Sequence, residues 1–263
     1  MTLIHRPRKR FGQNFLHHTA TLEAIVAALS PRREESLLEI GPGRGALTAA
    51  LLPHLDSLHA IELDRDLVSY LQQRFPSSQL QLHSGDALKL DLADGRWPTP
   101  LRLVGNLPYN ISTPLILHLI AQREQIIDMH FMLQKEVVER LVSAPGRKSY
   151  GRLSVIVQYY CQIEQLFTVP PSAFTPPPKV DSAIVRLIPY RDPPFPSVRR
   201  TLLEQVTQCA FNQRRKTLRN TLKPLFSVAE LEQLGINPTL RADNVSVADY
   251  VTLALALDSL PTP

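Results

Sequence analysis

A chain of 263 residues with 44% hydrophobic and 20% charged side chains can bury a core, which excludes a disordered protein and fits one large domain or a domain with an appendage. No stretch approaches the ~20 apolar residues that cross a bilayer, and no apolar segment of signal-peptide length follows the basic start, so we expect a cytoplasmic protein without membrane contacts. The net charge of +5 is modest, and charge alone leaves open both a polyanionic partner and a merely solvated surface. The clustered cations are Arg6, Arg8, Lys9, Arg10, Arg214, Arg215, Lys216, Arg219 and Lys223.

The cysteines and histidines show no spacing that is typical of a metal site. Cys161 and Cys209 each lie among apolar helix or strand formers, without a second ligand at zinc spacing, so both are expected to be reduced thiols. The eight histidines are scattered along the chain. We therefore expect no metal.

Short apolar runs alternate with longer amphipathic ones in the first half of the chain. A helix is expected over 19–29, where apolar residues recur with helical spacing. Strands are expected over 36–40, 58–63, 80–83, 101–104 and 129–133. Helices are expected over 46–55, 65–75, 114–122 and 135–142. This alternation predicts an α/β fold, in which a parallel sheet has helices on both faces.

The second half of the chain departs from this alternation. Two apolar runs, 153–160 and 183–188, are expected to be strands that close the sheet as an antiparallel pair. Prolines at 189, 193, 194 and 196 then indicate an extended linker. We therefore expect one domain over 1–189 and a second, all-helical domain over 190–263. Its predicted helices cover 198–222, 228–234 and 247–257.

A glycine-rich turn follows the first strand of the predicted sheet. In the segment from Glu39 to Gly45, glycines at 41, 43 and 45 let the backbone approach a ligand closely. Glu62 ends the next strand, where an acid can hold both hydroxyls of a ribose. The pair indicates a cofactor that contains adenosine. Because Gly41, Gly43 and Ala46 also match the dinucleotide fingerprint, this turn alone leaves a nicotinamide cofactor open.

The third and fourth strands end in polar residues as well. Asp86 could accept a hydrogen bond from an adenine amine, and Asn106 follows the fourth strand. Ligands of open α/β sheets lie beyond the carboxyl ends of the strands. Gly41, Glu62, Asp86 and Asn106 all fall at such ends, so we expect their side chains or backbone to meet in one site.

The sequence Asn106-Leu107-Pro108-Tyr109 suits chemistry on an adenine amine. That nitrogen is a poor nucleophile because its lone pair is delocalised into the ring. The side-chain carbonyl of Asn106 and the backbone carbonyl of Leu107 or Pro108 could accept hydrogen bonds from its two N–H groups. These bonds would localise the lone pair. Proline fixes its own φ and restricts its neighbour, which would hold the turn rigid. The ring of Tyr109 can stack on the base, a contact worth ~1–3 kcal/mol.

At these motifs the chain resembles the KsgA/RsmA family of bacterial ribosomal RNA adenine dimethyltransferases, over nearly its whole length. The matching segments are 9–16, 39–45, Glu62, 84–86, 106–109, 134–136, 174–182 and 211–218. The resemblance implies a Rossmann-like methyltransferase sheet, a small helical C-terminal domain and the cofactor S-adenosylmethionine. It implies that this cofactor is contacted by Asn14, Leu16, Gly41, Glu62, Asp86 and Asn106. Phe174 would stack on the target adenine opposite Tyr109, although its surroundings alone favour a core aromatic.

The resemblance also implies the substrate, two adjacent adenosines in a hairpin loop near the 3′ end of 16S rRNA in the small ribosomal subunit. Arg215, Arg219 and Lys223 are spaced at i, i+4 and i+8, so a helix over 211–223 would present them on one face to RNA, with Lys216 beside them. The alternatives are a large-subunit rRNA methyltransferase of the antibiotic-resistance type, an RNA-binding ribosome-assembly factor with secondary catalysis, and a nicotinamide oxidoreductase. We expect a monomer.

Overall fold

The computed structural model of the chain describes residues 13–259. Its helices are α1 (Thr19–Leu29), α2 (Ala46–Leu51), α3 (Arg65–Arg74), α4 (Ser112–Ile120), α5 (Lys135–Leu141), α6 (Arg152–Tyr160), α7 (Arg200–Phe211), α8 (Leu218–Thr221), α9 (Val228–Gln233) and α10 (Val247–Ser259). Its strands are β1 (Phe15–Leu16), β2 (Leu37–Ile40), β3 (Leu58–Glu62), β4 (Leu80–Ser84), β5 (Leu101–Asn106), β6 (Ile126–Gln134), β7 (Cys161–Val169), β8 (Phe174–Thr175) and β9 (Ser182–Pro189). Within 13–259, no helix is long and apolar enough to span a bilayer.

A seven-stranded sheet has the order β4-β3-β2-β5-β6-β9-β7. The five strands from β4 to β6 run parallel, and β9 pairs antiparallel with β6. The parallel α/β sheet predicted from the sequence is therefore confirmed, and each predicted strand of its parallel part is present. Strands β2 and β3 are buried along their whole length because helices cover both faces, which explains their near-continuous apolar runs. The order reverses at β2 and β5, where α/β proteins bind ligands.

The chain forms two compact units. The first contains residues up to 138 together with 163–189, and the second contains 139–162 together with 190 onward. The break after Pro189 coincides with the predicted linker. The segment 139–162 was assigned by sequence to the first domain, but it belongs to the second unit, because its helix α6 packs against α7 and α10.

The predicted strand over 153–160 is wrong, since these residues form α6. Val155, Ile156 and Val157 are consecutive and all buried, so the apolar pattern of this run does not separate a helix from a strand. At the start of the helix, the hydroxyl of Ser154 accepts a hydrogen bond from the backbone N–H of Gly151 at 3.0 Å. The strand next to β9 at the edge of the sheet is β7, where polar residues alternate with less exposed ones.

The long helix predicted over 198–222 is also wrong. It ends at Phe211, and a turn over 212–217 leads to the four residues of α8. Thr217 forms an antiparallel bridge with Arg241, and the N–H of Leu218 donates to the carbonyl of Leu240 at 2.8 Å. These hydrogen bonds join residues distant in sequence, and they redirect the backbone where local propensity favours a continuous helix.

Candidate active site

A cleft of about 360 Å³ opens beyond the carboxyl ends of β2, β3 and β5. Its walls include the glycine-rich turn, residues 13–16 and the segment 106–111. Apart from Phe174 and the C-terminal cations, all nine candidate site residues line this cleft. These are Asn14, Leu16, Gly41, Glu62, Asp86, Asn106, Leu107, Pro108 and Tyr109.

The glycine turn adopts backbone angles that other residues rarely take. Gly41 has a φ of 69°, and its N–H donates to the carbonyl of Ile61 at 2.9 Å, which ties the turn to the end of β3. A Cβ added to Gly105 would lie 2.5 Å from the carbonyl oxygen of Ile40. Only glycine therefore allows β5 to approach β2 this closely, and that approach places Asn106 beside the turn.

Glu62 closes the far side of the turn. Its side chain is 7% exposed and accepts the backbone N–H groups of Gly43 at 3.1 Å and Asp64 at 2.9 Å. Burial raises the pKa of this carboxyl, although the hydrogen bonds oppose the shift. A carboxylate has about four acceptor sites, so it keeps acceptor capacity for a ligand's hydroxyl.

Glu39 is a second buried carboxyl on the cleft, and the sequence analysis gave it no role. It is 1% exposed, and the hydroxyl of Thr48 donates to it at 2.6 Å. Burial raises its pKa to about 7, and the nearby charge of Glu62 adds to the shift. A charged residue inside an otherwise apolar strand was the available signal, since acids are almost never buried without a partner.

Asn106 is oriented by the loop that precedes α1. Its side-chain N–H donates to the backbone carbonyl of Asn14 at 2.9 Å. The amide is thereby fixed with its oxygen as the remaining acceptor, and no donor to that oxygen lies among residues 13–259.

The neighbouring backbone distinguishes the two carbonyls that sequence left open. The carbonyl of Pro108 accepts the N–H of Ile111 at 3.1 Å, which closes the turn into α4. The N–H of Leu107 donates to Met132 on β6 at 3.2 Å, and this bond anchors the start of the turn to the sheet. The carbonyl of Pro108 thus already has a backbone partner within the turn.

Tyr109 is held at both ends. Its hydroxyl lies 2.7 Å from the hydroxyl of Ser182, and its backbone carbonyl accepts the hydroxyl of Ser112 at 3.1 Å. Burial raises the pKa of the phenol, against the opposing effect of the Ser182 hydrogen bond. The side chain therefore stays neutral at physiological pH, as an aromatic platform requires.

Asp86 is half-buried and lines the cleft just after β4, whereas the glycine turn follows β2. One of its carboxylate oxygens accepts the N–H of Leu88 at 2.9 Å, which starts a short 3₁₀ helix over 87–89. This bond fixes the side chain, and the carboxylate keeps acceptor sites for a ligand amine. Among the described residues 13–259, no group of three or more histidine, cysteine or acidic side chains is arranged to hold a metal ion.

Comparison with known proteins places the chain in a family. The family described as ribosomal RNA adenine dimethylase matches residues 4–259. The chain belongs to this family. It is 56% identical over 259 residues to the ribosomal RNA small subunit methyltransferase A of Pseudomonas aeruginosa, covering 98% of this chain and 97% of the relative. The Klebsiella pneumoniae protein of the same description is 53% identical over 262 residues, covering 98% and 96%.

Solved structures agree with this assignment. A dimethyladenosine transferase from Plasmodium falciparum is similar with a TM-score of 0.78 and 28% identity, covering 93% of this chain and 97% of that one. The 23S rRNA methyltransferase ErmE has a TM-score of 0.73 and 24% identity, covering 94% and 100%, and it shows the same fold. The predicted Rossmann-like methyltransferase fold is confirmed.

This adenine dimethylase is a methyltransferase that uses S-adenosylmethionine, which removes the nicotinamide alternative. Its cleft fits that cofactor. The cofactor is cationic at its sulfonium and amino groups, and the carboxylate of Glu62 would lower the electrostatic potential where it would lie. Residues of the glycine turn leave room for an adenosine to approach the backbone.

Phe174 is not among the residues that line the cleft, and its stacking on the target adenine stays a prediction. It is 2% exposed and forms part of the hydrophobic core. The strand β8 pairs antiparallel with β1, with Phe174 opposite Leu16, and the ring packs with that leucine in the same cluster. Burying an aromatic ring here stabilises the segment that carries Asn14 and Leu16. The surroundings of Phe174 in the sequence favoured this outcome.

The cations predicted to bind RNA do not share one helix face. Arg215 and Lys216 lie in the turn over 212–217, Arg219 lies on α8, and Lys223 follows that helix. All four side chains are exposed. The N-terminal cluster of Arg6, Arg8, Lys9 and Arg10 lies outside the described residues.

The C-terminal unit contains a cationic pocket that the sequence analysis missed. A cavity of about 450 Å³ is lined by Arg140, Arg152 and Arg214, at the N-terminus of α6. A Cβ added to Gly151 would lie 3.9 Å from the guanidinium of Arg214. The three arginines come from separate segments, so their spacing in the sequence gives no signal. We call Arg140, Arg152 and Arg214 the arginine pocket.

Proposed function

We propose that this chain transfers methyl groups to the N6 atoms of two adjacent adenosines in a hairpin loop near the 3′ end of 16S rRNA, as a cytoplasmic monomer that acts on the small ribosomal subunit. The observation that carries the proposal is the geometry of Asn106. Its amide nitrogen donates to the carbonyl of Asn14, so its oxygen is the atom that can accept a hydrogen bond from the target amine. The family and the names of relatives at 53–56% identity support the substrate.

The chain contributes acceptors for the protons of the target amine. The oxygen of Asn106 accepts a hydrogen bond from one N–H of the amine and the carbonyl of Leu107 accepts one from the other, which directs the nitrogen lone pair out of conjugation. Both acceptors are fixed before the base arrives, so they cost no reorganisation during the reaction. Each transfer is completed when the alkylated nitrogen loses one proton to water. The monomethylated amine keeps one N–H that can donate to Asn106, which permits the second transfer.

The chain also aligns the two reactants. S-adenosylmethionine supplies the methyl group from its sulfonium. Glu62 holds the ribose hydroxyls, Asp86 accepts the adenine amine of the cofactor, and the glycine turn at Gly41 contacts the remainder. Tyr109 stacks on the target base, which must be unstacked from its neighbours to enter. Holding both groups in line converts a bimolecular reaction into a unimolecular one.

The proposal is tested by incubating the protein with radiolabelled S-adenosylmethionine and separated ribosomal subunits. Small subunits from cells that lack this gene are the substrate, and subunits from unmodified cells are the matched control because dimethylated adenosines accept no further methyl. We expect label on two adjacent adenosines near the 3′ end of 16S rRNA. Label confined to the large subunit would support the antibiotic-resistance type of activity instead.

An assembly role separable from catalysis makes a different prediction. A chain that acts mainly by binding RNA would support small-subunit maturation equally well as the wild type and as Asn106→Ala. Subunit profiles from cells that express either protein distinguish the two cases. Equal profiles would identify assembly as the main function, and catalysis as secondary.

RNA binding is assigned to the exposed cations of the C-terminal unit. Replacing Arg215, Lys216, Arg219 and Lys223 together by glutamine is expected to weaken binding of a 16S rRNA fragment. It should also flatten the dependence of log affinity on log salt by roughly 0.7 to 0.9 for each phosphate that the protein no longer neutralises. Titrations at several salt concentrations measure that slope. Cofactor affinity should not change, because none of these residues lines the cleft.

The arginine pocket provides a second set of variants in the same titration. Arg152→Gln and Arg214→Gln together should flatten the slope further if the pocket holds a backbone phosphate. Arg32→Gln with Arg33→Gln is the matched control, because both residues are exposed and lie outside the C-terminal unit. A slope that is the same in all three combinations would leave the N-terminal cluster as the site that binds RNA.

A further inference from the structure

The hydrogen bond between Tyr109 and Ser182 joins two segments that no part of the mechanism above connects. Ser182 begins β9 and is paired with Gln134 across the sheet, and its side chain is fully buried. Tyr109 lies 73 residues earlier, in the turn after β5, and lines the cleft. We infer that Ser182 is a positioning residue that sets the tilt of the Tyr109 ring against the target base. The inference rests on the proposed function, since it concerns the base that Tyr109 stacks on.

The geometry explains what this bond can fix. The phenolic oxygen lies on the axis through Cβ, Cγ and Cζ, so holding it fixes the direction of that axis and leaves only rotation about χ2. At the other end of the residue, Ser112 holds the backbone carbonyl. Without Ser182 the ring is free to change χ1, and three staggered orientations compete.

The position of Ser182 suits this task better than that of a surface residue. Strand β9, which carries Ser182, pairs with β6. Strand β5, which carries Asn106, pairs with the other edge of β6, so β6 fixes the positions of both strands. The N–H of Lys135 donates to the carbonyl of Asp181 at 3.0 Å and fixes the start of β9. The hydrogen bond to Ser182 therefore fixes the Tyr109 ring relative to the sheet.

The test uses Ser182→Ala, Tyr109→Phe and the double variant, since each removes one partner of the same bond and Tyr109→Phe keeps the aromatic ring. We expect each single variant to lower kcat for methyl transfer about 5- to 10-fold, the effect of removing one hydrogen bond, with KM nearly unchanged. The double variant should be no worse than the singles, because the partners act as one unit.

A binding measurement separates placement of the base from chemistry. An rRNA hairpin with 2-aminopurine at the target position is bound in the presence of S-adenosylhomocysteine, and stacking on Tyr109 quenches its fluorescence. Ser182→Ala and Tyr109→Phe should reduce the quenching to the same extent. This readout needs no methyl transfer, so a wild-type protein that quenches without methylating would contradict the proposed function and leave the positioning role intact.

Two results would overturn the inference. In the first, Tyr109→Phe behaves like the wild type while Ser182→Ala loses kcat, which would make Ser182 a residue that only packs β9. In the second, the losses of the single variants multiply in the double variant, which would show independent roles. Thr207→Val is the matched control for folding, because Thr207 is equally buried, its hydroxyl also makes a hydrogen bond, and it belongs to the C-terminal unit. Thermal unfolding of all variants identifies any that fail to fold, and Tyr109→Phe then carries the test alone.

Discussion

Asn106→Ala is expected to lower the rate of methyl transfer about 100- to 1000-fold, the loss observed when one preorganised polar group of a transition-state site is removed. The variant removes the oxygen that would accept a hydrogen bond from the target amine, and the N–H that donates to the carbonyl of Asn14. Single-turnover rates at saturating cofactor measure the effect.

The affinity for S-adenosylmethionine separates the catalytic role of Asn106 from its predicted contact with the cofactor. Calorimetry should show a fall of less than about 10-fold, since Glu62, Asp86 and the glycine turn remain. Asn237→Ala, an exposed asparagine of the C-terminal unit, is the matched control and should keep the wild-type rate. If affinity and rate fall in the same proportion, Asn106 holds the cofactor and does not activate the amine.

Glu39→Gln is expected to change how the free energy of unfolding depends on pH. The folded-state pKa of Glu39 is about 7, raised from 4.5 mainly by burial. Because the folded pKa lies above the unfolded one, the protonated carboxyl stabilises the fold below about pH 4.5, and this contribution is lost as the pH rises to 7. A shift of this size corresponds to about 3 kcal/mol.

Denaturant unfolding between pH 4.5 and 8 measures this effect without the cofactor. The stability of Glu39→Gln relative to the wild type should rise by about 3 kcal/mol across that range, because glutamine cannot ionise. Glu35→Gln is a control whose stability relative to the wild type should stay nearly constant across that range. Burial raises the pKa of Glu35, but hydrogen bonds from the Arg102 side chain and the Arg32 backbone outweigh it and leave the pKa lowered, so Glu35 loses its contribution only as the pH falls below about 4.5. If the stability of Glu39→Gln relative to the wild type does not vary with pH, the folded-state pKa of Glu39 is not raised, which contradicts the prediction.

The alternation of strands and helices determined the parallel sheet. Helix α1 has the predicted bounds, because its apolar residues recur on one face and the prediction depended on that period alone. Gly41, Glu62, Asp86 and Asn106 were predicted to meet because parallel strands end at one edge, and the cleft contains all four. These features follow from local periodicity and from one rule of topology, so the sequence was sufficient for them.

Other features depended on contacts between residues far apart in the chain. The run over 153–160 has buried apolar residues at consecutive positions, which left its period ambiguous, and it packs as a helix against α7 and α10. The predicted helix over 198–222 is broken where Thr217 pairs with Arg241. Local propensity is a weak preference, and a few long-range hydrogen bonds outweigh it.

In the active site, the sequence by itself identified the types of residue that the chemistry needs and the strand ends that carry them. Tertiary structure decided which atoms remain available. The bond from Asn106 to the carbonyl of Asn14 leaves the amide oxygen as an acceptor, and the pairing of β8 with β1 places Phe174 in the core. Ser182 was part of a recognised motif, but its hydrogen bond to Tyr109 spans 73 residues. A hydrogen bond requires two heavy atoms within about 3 Å of each other. The sequence does not show which residues far apart in the chain come this close when it folds.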